Sequence, residues 1–387
     1  MTDAEHRPGA LLLTRNLPPL RGGMERLNAH MAQALSQHFA LGVCGPIGCR
    51  AELPRGAEVR EHPARLLRFL PGCLFSALSL ARRLRPDVVV AGSGLTAPIA
   101  LLAARWFGAR AVAFAHGLDL VVRSRVYRAL WLPCLRRLDL VLVNSANTRA
   151  LAMERGIPAD RLAVLHPGTA VPGHDEEAGR AFRAETGLTD QPLLLSVGRL
   201  TPRKGLAEFV RGVLPRIVAE RPGTTLLVIG ADARDALTHR TGSEQARIER
   251  AAQEAGVETA IRWMPPCDDA TLARAYQAAD VHVFPVRETP GDVEGFGMVA
   301  IEAAAHGTPT VAYAVGGVPD AVVEGRSGTL VSAGDEAAFA RAVVELIGPT
   351  TRGSWRDRCV EAASAFAWDR FNTRLIDLIR GPLETPA

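Results

Sequence analysis

Short apolar runs that do not alternate with polar residues recur along the whole chain, with amphipathic stretches between them, and this rhythm restricts the fold more than any other feature. In the first half the runs are 10–13, 41–44, 87–91, 111–115 and 138–143. In the second half they are 193–197, 224–229, 260–263, 281–284, 310–312 and 329–331. A strand that is apolar on both faces must be covered on both, as inside a parallel sheet wrapped by helices. Helical stretches such as 24–37, 206–219 and 272–278 fill the gaps. The expected class is α/β, doubly wound. With 387 residues and 48% hydrophobic content there is enough material for two cores. The run Leu165-His166-Pro167-Gly168-Thr169 and the polar stretch 172–179 have linker composition, which sets the boundary near 170–185. An N-terminal domain over 1–175 and a C-terminal domain over 186–367 follow, with a last helix, 368–382, free to join either. Two such sheets in series put a ligand cleft between the carboxyl ends of their strands.

Several classes are excluded by composition. The longest apolar runs, such as 98–104 and 193–197, fall short of the roughly 18 residues a membrane span needs. Residues 1–8 are polar and carry Asp3 and Glu5, unlike a secretory leader, so a cytoplasmic protein is expected. Six cysteines lie scattered without a Cys-x-x-Cys pair, which suggests neither a zinc site nor a disulfide framework. The net charge of +4 hides an asymmetry: residues 1–185 hold 24 Arg against 15 acidic residues, and 186–387 hold 20 Arg and one Lys against 26. The first half is thus about +9 and calls either for an anionic partner or for solvated faces.

The chain contains a single lysine, Lys204, in Ser196-Val197-Gly198-Arg199-Leu200-Thr201-Pro202-Arg203-Lys204-Gly205. Arginine is a planar fork and lysine a compact point charge, so a position that stays lysine against such a bias points to a phosphate that needs the ammonium's shape. Arg199 and Lys204 stand on either side of a turn after the run 193–197 and can converge on one diphosphate. Arg203 competes for that role, and the retained ammonium favours its neighbour. Two fixed cations can neutralise a leaving diphosphate without a divalent metal, and no Asp-x-Asp pair is present to hold one. Gly22-Gly23, after the first run, is a weaker signal for backbone approaching a phosphate at a helix start.

The most specific element is Glu294-Gly295-Phe296-Gly297-Met298-Val299-Ala300-Ile301-Glu302. In continuous helix the two carboxylates would stand about 80° and about 12 Å apart, too far for one small group to meet both. One end must be loop. With Gly295 and Gly297 opening the turn, Glu294 precedes the helix and Glu302 lies two turns inside it. The amides of Gly297, Met298 and Val299 then face an anion. Glu294 would meet hydroxyls on one side of it and Glu302 a second polyol on the other, the layout of a sugar diphosphonucleoside.

These motifs, with Gly316-Gly317-Val318-Pro319-Asp320 and Glu324-Gly325-x-x-Gly328-x-Leu330-Val331, resemble retaining glycosyltransferases of family 4 with the GT-B fold, two Rossmann-like domains facing a central cleft. The resemblance spans nearly the whole second half; in the first half it rests on Gly22-Gly23 and Ala115-His116-Gly117. Arg287-x3-Gly291-Asp292-Val293-Glu294-Gly295 also resembles mannosyltransferases acting on phosphatidylinositol. The family pattern implies that Glu294 and the amides from Gly295 and Phe296 through Val299 hold the donor sugar, Glu302 the ribose, and Arg199 with Lys204 the diphosphate. It implies that His116 touches the sugar near its 6-hydroxyl; alone, a histidine at a strand end is more often structural. Glu288 and Asp292 either shape the sugar pocket or form a solvated acidic loop. The loop Met264-Pro265-Pro266-Cys267-Asp268-Asp269 departs from the family wording and leaves the base open.

The implied activity is metal-independent transfer of a hexose, with retention, from GDP-mannose or a UDP-hexose to a hydroxyl of a glycan or lipid-linked acceptor, without a cofactor. A GT-B epimerase and a non-catalytic nucleotide-sugar-binding subunit are the alternatives. A phosphorylase would need a lysine for pyridoxal phosphate besides the one already assigned. Residues 65–85 interleave arginines with bulky apolar groups around Pro71-Gly72, which fits either a core helix with a charged outer face or an anionic membrane surface as partner, with the protein peripheral on the cytoplasmic face.

Overall fold

A computed structural model describes residues 7–189, 191–232, 243–347 and 349–381. The chain divides into two units, Met1–Gly168 with Trp368–Ala387, and Thr169–Ala367. The first carries β1 (Gly9–Leu13), β2 (Ala40–Pro46), β3 (Glu58–His62), β4 (Val88–Ala91), β5 (Arg110–Ala115), β6 (Leu140–Val143) and β7 (Leu162–Val164), in the order β3-β2-β1-β4-β5-β6-β7. The second carries β8 (Leu193–Val197), β9 (Thr225–Ile229), β10 (Ile261–Met264), β11 (Val281–Phe284), β12 (Thr310–Tyr313) and β13 (Gly328–Val331), in the order β10-β9-β8-β11-β12-β13. Every pairing is parallel.

The unbroken apolar runs have the physical cause the sequence suggests. In β1, Leu11 and Leu13 enter one core while Ala10 and Leu12 enter the core on the other side of the sheet. In β8, Leu194 faces one core and Leu193 and Leu195 the other. Two strands lie outside the expected runs, β3 and β7, although β7 (Leu-Ala-Val) is itself apolar. Both are edges, flanked by a strand on one side only, and β3 (Glu-Val-Arg-Glu-His) buries only Val59.

The helices of the first unit are α1 (Gly23–His38), α2 (Leu66–Leu84), α3 (Ala97–Phe107), α4 (Leu118–Val121), α5 (Arg125–Leu135) and α6 (Ala146–Glu154). Helix α1 shares a core with the C-terminal helix Trp368–Arg380, while α2, α3, α5 and α6 cover the opposite sheet face. Helix α2 runs through Pro71-Gly72 without a break. Pro71 lacks one amide, but Phe69, Cys73, Ala77 and Leu80 anchor the buried side, and Gly72 makes room for the His62 ring, whose Nδ1 lies 2.5 Å from where a β-carbon would stand.

The division at Gly168/Thr169 falls earlier than the expected 170–185. The polar stretch there leads into helix Glu176–Thr186, whose Phe182 is buried with Tyr276 in a core of the second unit, and His174 Nδ1 meets the His306 carbonyl at 3.0 Å. The last helix joins the first unit: Trp368 stacks on His30 with ring centres 3.6 Å apart, and Arg110 Nη1 donates to the carbonyls of Ile379 and Gly381 at 2.6 and 2.7 Å. Residues 1–6 of the polar start and residue 382 of the expected helix lie outside the described residues.

Candidate functional site

In the second unit β8 and β11 are neighbours at the point where strand order reverses, and both carboxyl ends lead into loops that carry the predicted charges. After β8, Arg199 stands exposed, and a short 3-10 turn, Pro202–Lys204, follows. Gly205 closes that turn at φ 69°, and a β-carbon there would strike the Pro285 carbonyl. The turn therefore presses on the segment after β11, where the Arg287 amide donates to the Arg203 carbonyl at 2.9 Å. This delivers Lys204 Nζ to 2.7 Å from Glu294 Oε2 and 4.6 Å from the centre of the Phe284 ring.

Arg203 is buried. Its guanidinium pairs with Asp292 at 3.0 Å and with Glu294. Burial alone would raise the Glu294 carboxyl; Lys204 and Arg203 more than offset it and hold the group down to about 2. Burial lowers the Lys204 ammonium, against the pull of Glu294. Arg203 and Lys204 balance Asp292 and Glu294, and Arg199 adds one further cation at the outer edge. Arg203 is thus committed to two carboxylates and braces Glu294. Asp292 belongs to this buried set, whereas Glu288 is exposed.

Glu294 precedes helix Met298–Ala305, whose cap is Gly297 at φ 106°. Glu302 is the fifth helical residue, a little over one turn in rather than two, because the helix begins only after Gly297. The Gly317 amide donates to the Glu294 carbonyl at 2.9 Å, and a β-carbon on Gly317 would strike the Gly295 carbonyl. The Gly316-Gly317 turn therefore positions the segment from Glu294 to Gly297. Gly295 and Phe296 are buried, and the amides of Gly297, Met298 and Val299 form the cap and first turn, where no intrahelical acceptor exists. Tyr276 donates its hydroxyl to Glu302 Oε2 at 3.3 Å, and His306 Nδ1 lies 2.8 Å from the Glu302 carbonyl. In the 264–269 loop, Asp268 caps helix Asp269–Ala278 by accepting from the Thr271 amide at 2.8 Å.

In the first unit Gly22 caps α1 in extended conformation, so its φ makes no demand for glycine. A β-carbon there would instead meet the Glu25 carboxylate, which accepts from Asn16 Nδ2 at 2.7 Å. The start of α1 at Gly22 and Gly23 thus already has an anion beside it. His116 follows β5, buried, with Nε2 2.9 Å from the Gly92 carbonyl and its ring stacked on Phe114. A carbonyl only accepts, so Nε2 carries the proton and Nδ1 is the edge left for a ligand.

Sequence reasoning missed the Lys204–Glu294 pair, the bracing by Arg203, the Phe284 ring under the ammonium and the Tyr276 hydroxyl on Glu302. No local signal marks them. Lys204 and Glu294 are ninety residues apart, and only the adjacency of β8 and β11 brings them together.

Residues 191–348 match the family model described as "Glycosyl transferases group 1", and residues 21–171 match "Glycosyltransferase Family 4". A GDP-mannose-dependent alpha-(1-6)-phosphatidylinositol monomannoside mannosyltransferase of Mycolicibacterium smegmatis is 30% identical over 402 residues, covering 97% of this chain and 99% of that protein. The D-inositol 3-phosphate glycosyltransferase of Mycobacterium bovis is 33% identical over 62% of this chain and 48% of its own length. Among solved structures, a sucrose-phosphate synthase from Thermosynechococcus elongatus superposes with a TM-score of 0.78 at 24% identity, covering 97% of this chain and 98% of that one. HepE of Anabaena in complex with UDP superposes with a TM-score of 0.77 at 18% identity, covering 96% and 99%.

Proposed function

This chain belongs to the family 4 glycosyltransferases, GT-B enzymes that use nucleotide sugars, and on that premise we propose that it moves a hexose, with retention of anomeric configuration, from GDP-mannose or a UDP-hexose to a hydroxyl of a lipid-linked or glycan acceptor. The observation that carries the reading is the Lys204–Glu294 pair at 2.7 Å beside the glycine-capped start of helix Met298–Ala305. In this reading the ammonium and Arg199 meet the diphosphate. Glu294 and the amides from Gly295 through Val299 hold the sugar, Glu302 accepts from the ribose, and His116 meets the sugar near its 6-hydroxyl. As the bond from the anomeric carbon to the diphosphate oxygen breaks, the acceptor oxygen bonds to the same face of that carbon and its proton passes to the leaving phosphate. Stabilisation of the leaving diphosphate by fixed cations and amides supplies most of the catalysis, with no divalent metal.

The Mycolicibacterium relative is a mannosyltransferase acting on a phosphatidylinositol monomannoside, which supports a lipid acceptor and a peripheral place on the cytoplasmic membrane face. No helix among the described residues is long and apolar enough to cross a membrane. A thermal-shift screen against GDP-mannose, UDP-glucose and UDP-N-acetylglucosamine, followed by donor hydrolysis without acceptor, tests the reading. Binding without any turnover of the bound donor would replace it with a nucleotide-sugar-binding subunit.

A further inference from the structure

The ten exposed large apolar side chains among the described residues all lie in the first unit, and seven of them stand on three helices: Leu66, Leu67 and Phe75 on α2, Leu102 and Trp106 on α3, Val126 and Leu130 on α5. Helix α3 packs against both α2 and α5, and all three bury their inner sides in one core, so their outer sides form one layer. Each helix presents its exposed groups at helical spacing. Leu67, Pro71 and Phe75 follow at steps of four, as do Leu102 and Trp106, and Val126 and Leu130. A second apolar stripe facing outward is the reverse of what a water-facing helix shows. Trp106 is 71% exposed and Phe75 74%.

The charge on this layer is of one sign. The three helices contain Arg68, Arg82, Arg83, Arg105, Arg125 and Arg128 and not one carboxylate. Arg83 pairs with Glu58 and Arg105 with Asp139; Arg68, Arg82, Arg125 and Arg128 have no ion pair among the described residues. Two copies meeting through this face would set arginine against arginine, whereas an anionic lipid surface offers phosphates to the cations and a headgroup boundary to the aromatic groups.

We propose that the outer faces of α2, α3 and α5 together form one docking surface for an anionic bilayer, with Phe75 and Trp106 seated among the headgroups and the arginines around them on lipid phosphates. The proposal deepens the lipid-acceptor reading and widens it from residues 65–85 to two helices that the sequence did not single out. Vesicle binding measured without a nucleotide sugar is independent of transfer, so failure of one leaves the other standing.

The test is co-sedimentation of the full chain with phosphatidylcholine vesicles containing or lacking phosphatidylglycerol, at low and high salt. Wild type should bind the anionic vesicles at low salt and be released by high salt. Reversing Arg68, and the exposed Arg65 that caps α2, to Glu should weaken binding by about fivefold or more per residue. The deciding variant, Trp106→Gln with Leu130→Gln, touches neither α2 nor any arginine; it should weaken binding about tenfold or more with an unchanged melting temperature. Wild-type binding by that variant would confine any contact to α2 and overturn the three-helix surface. Equal binding to neutral vesicles, or none to anionic ones, would overturn it too. So would lipid-free dimerisation in analytical ultracentrifugation that the same variant abolishes, since the face would then be an interface between copies.

Discussion

The two units have similar doubly wound sheets and opposite electrostatics. Counted by the observed division, the first holds 25 basic and 14 acidic side chains, a net +11, and the second 20 and 27, a net −7. Placing the boundary at Gly168 thus sharpens the asymmetry seen by halves. The location of the counter-ions differs as well. In the second unit Arg203 and Lys204 are turned inward at the site, on Glu294 and Asp292, and Arg183 is turned inward on Asp280 at the opposite, amino ends of β8 and β11. In the first unit many arginines point outward among exposed apolar groups. A fixed internal network suits a site that must hold one geometry, and unpaired outward charge suits a surface that must adapt to whatever anion it meets. Net charge alone would not have separated the two uses.

The largest expected effect comes from the inward network. Asp280 accepts from Arg183 at 3.0 Å and from the Leu193 amide at 2.8 Å, with both side chains nearly excluded from solvent. Asp280→Ala should cost about 3–5 kcal/mol in urea unfolding, because it strands a buried guanidinium. The exposed pair Arg83–Glu58 in the first unit is the contrast, and Glu58→Ala should change stability by no more than about 1 kcal/mol. Comparable losses in the two variants would erase the distinction between the units.

Next in size, Lys204→Ala should lower turnover about ten- to a hundredfold, as the loss of one charge-assisted bond of about 1.5–3 kcal/mol implies. Lys204→Arg should also fall well below wild type, since a planar fork must fit between Arg203 and the Phe284 ring; full activity in it would show that the ammonium's shape is irrelevant. Glu294→Gln should mainly reduce turnover with nucleotide still bound, and Glu302→Gln should mainly weaken nucleotide affinity. Titration of GDP and UDP against both variants checks this, and equal losses would collapse the two roles into one.

A pH series gives a subtler readout. The Glu294 carboxyl is depressed in the folded state, so its stabilising contribution is complete above its ordinary value near 4.5 and is lost as pH falls toward about 2. The melting-temperature gap between wild type and Glu294→Gln should therefore narrow over that window; a gap constant with pH would mean that the cations do not hold the carboxylate. The smallest expected effect is that of EDTA, which should leave the rate unchanged; strict dependence on magnesium or manganese would contradict the two-cation reading.

Most strands were legible because burial leaves an unbroken apolar run; β3 was not, because Glu-Val-Arg-Glu-His carries none. The loop-then-helix reading of Glu294 and Glu302 followed from helical geometry alone. What paired with those carboxylates did not, because Lys204 and Tyr276 reach them through sheet order, which no local spacing encodes. Arg203 seemed a rival ligand for the same reason: adjacent residues in a turn look equivalent until the fold turns one inward. The Pro71-Gly72 pair does not interrupt α2, since tertiary burial of Phe69 and Cys73 outweighs one missing amide.

The return of the chain to its first unit at Trp368 constrains how the protein can be made. Phe371, Leu375, Ile376, Leu378 and Ile379 belong to the core that α1 helps to build, so a fragment ending at Gly168 would leave that core open. The second unit, continuous from Thr169 to Ala367, is already fully translated when Trp368 is added. On the ribosome, then, the later-encoded unit can close first while the earlier one waits for its last helix to emerge. A chimera that exchanges first units between relatives would have to swap two separate segments together.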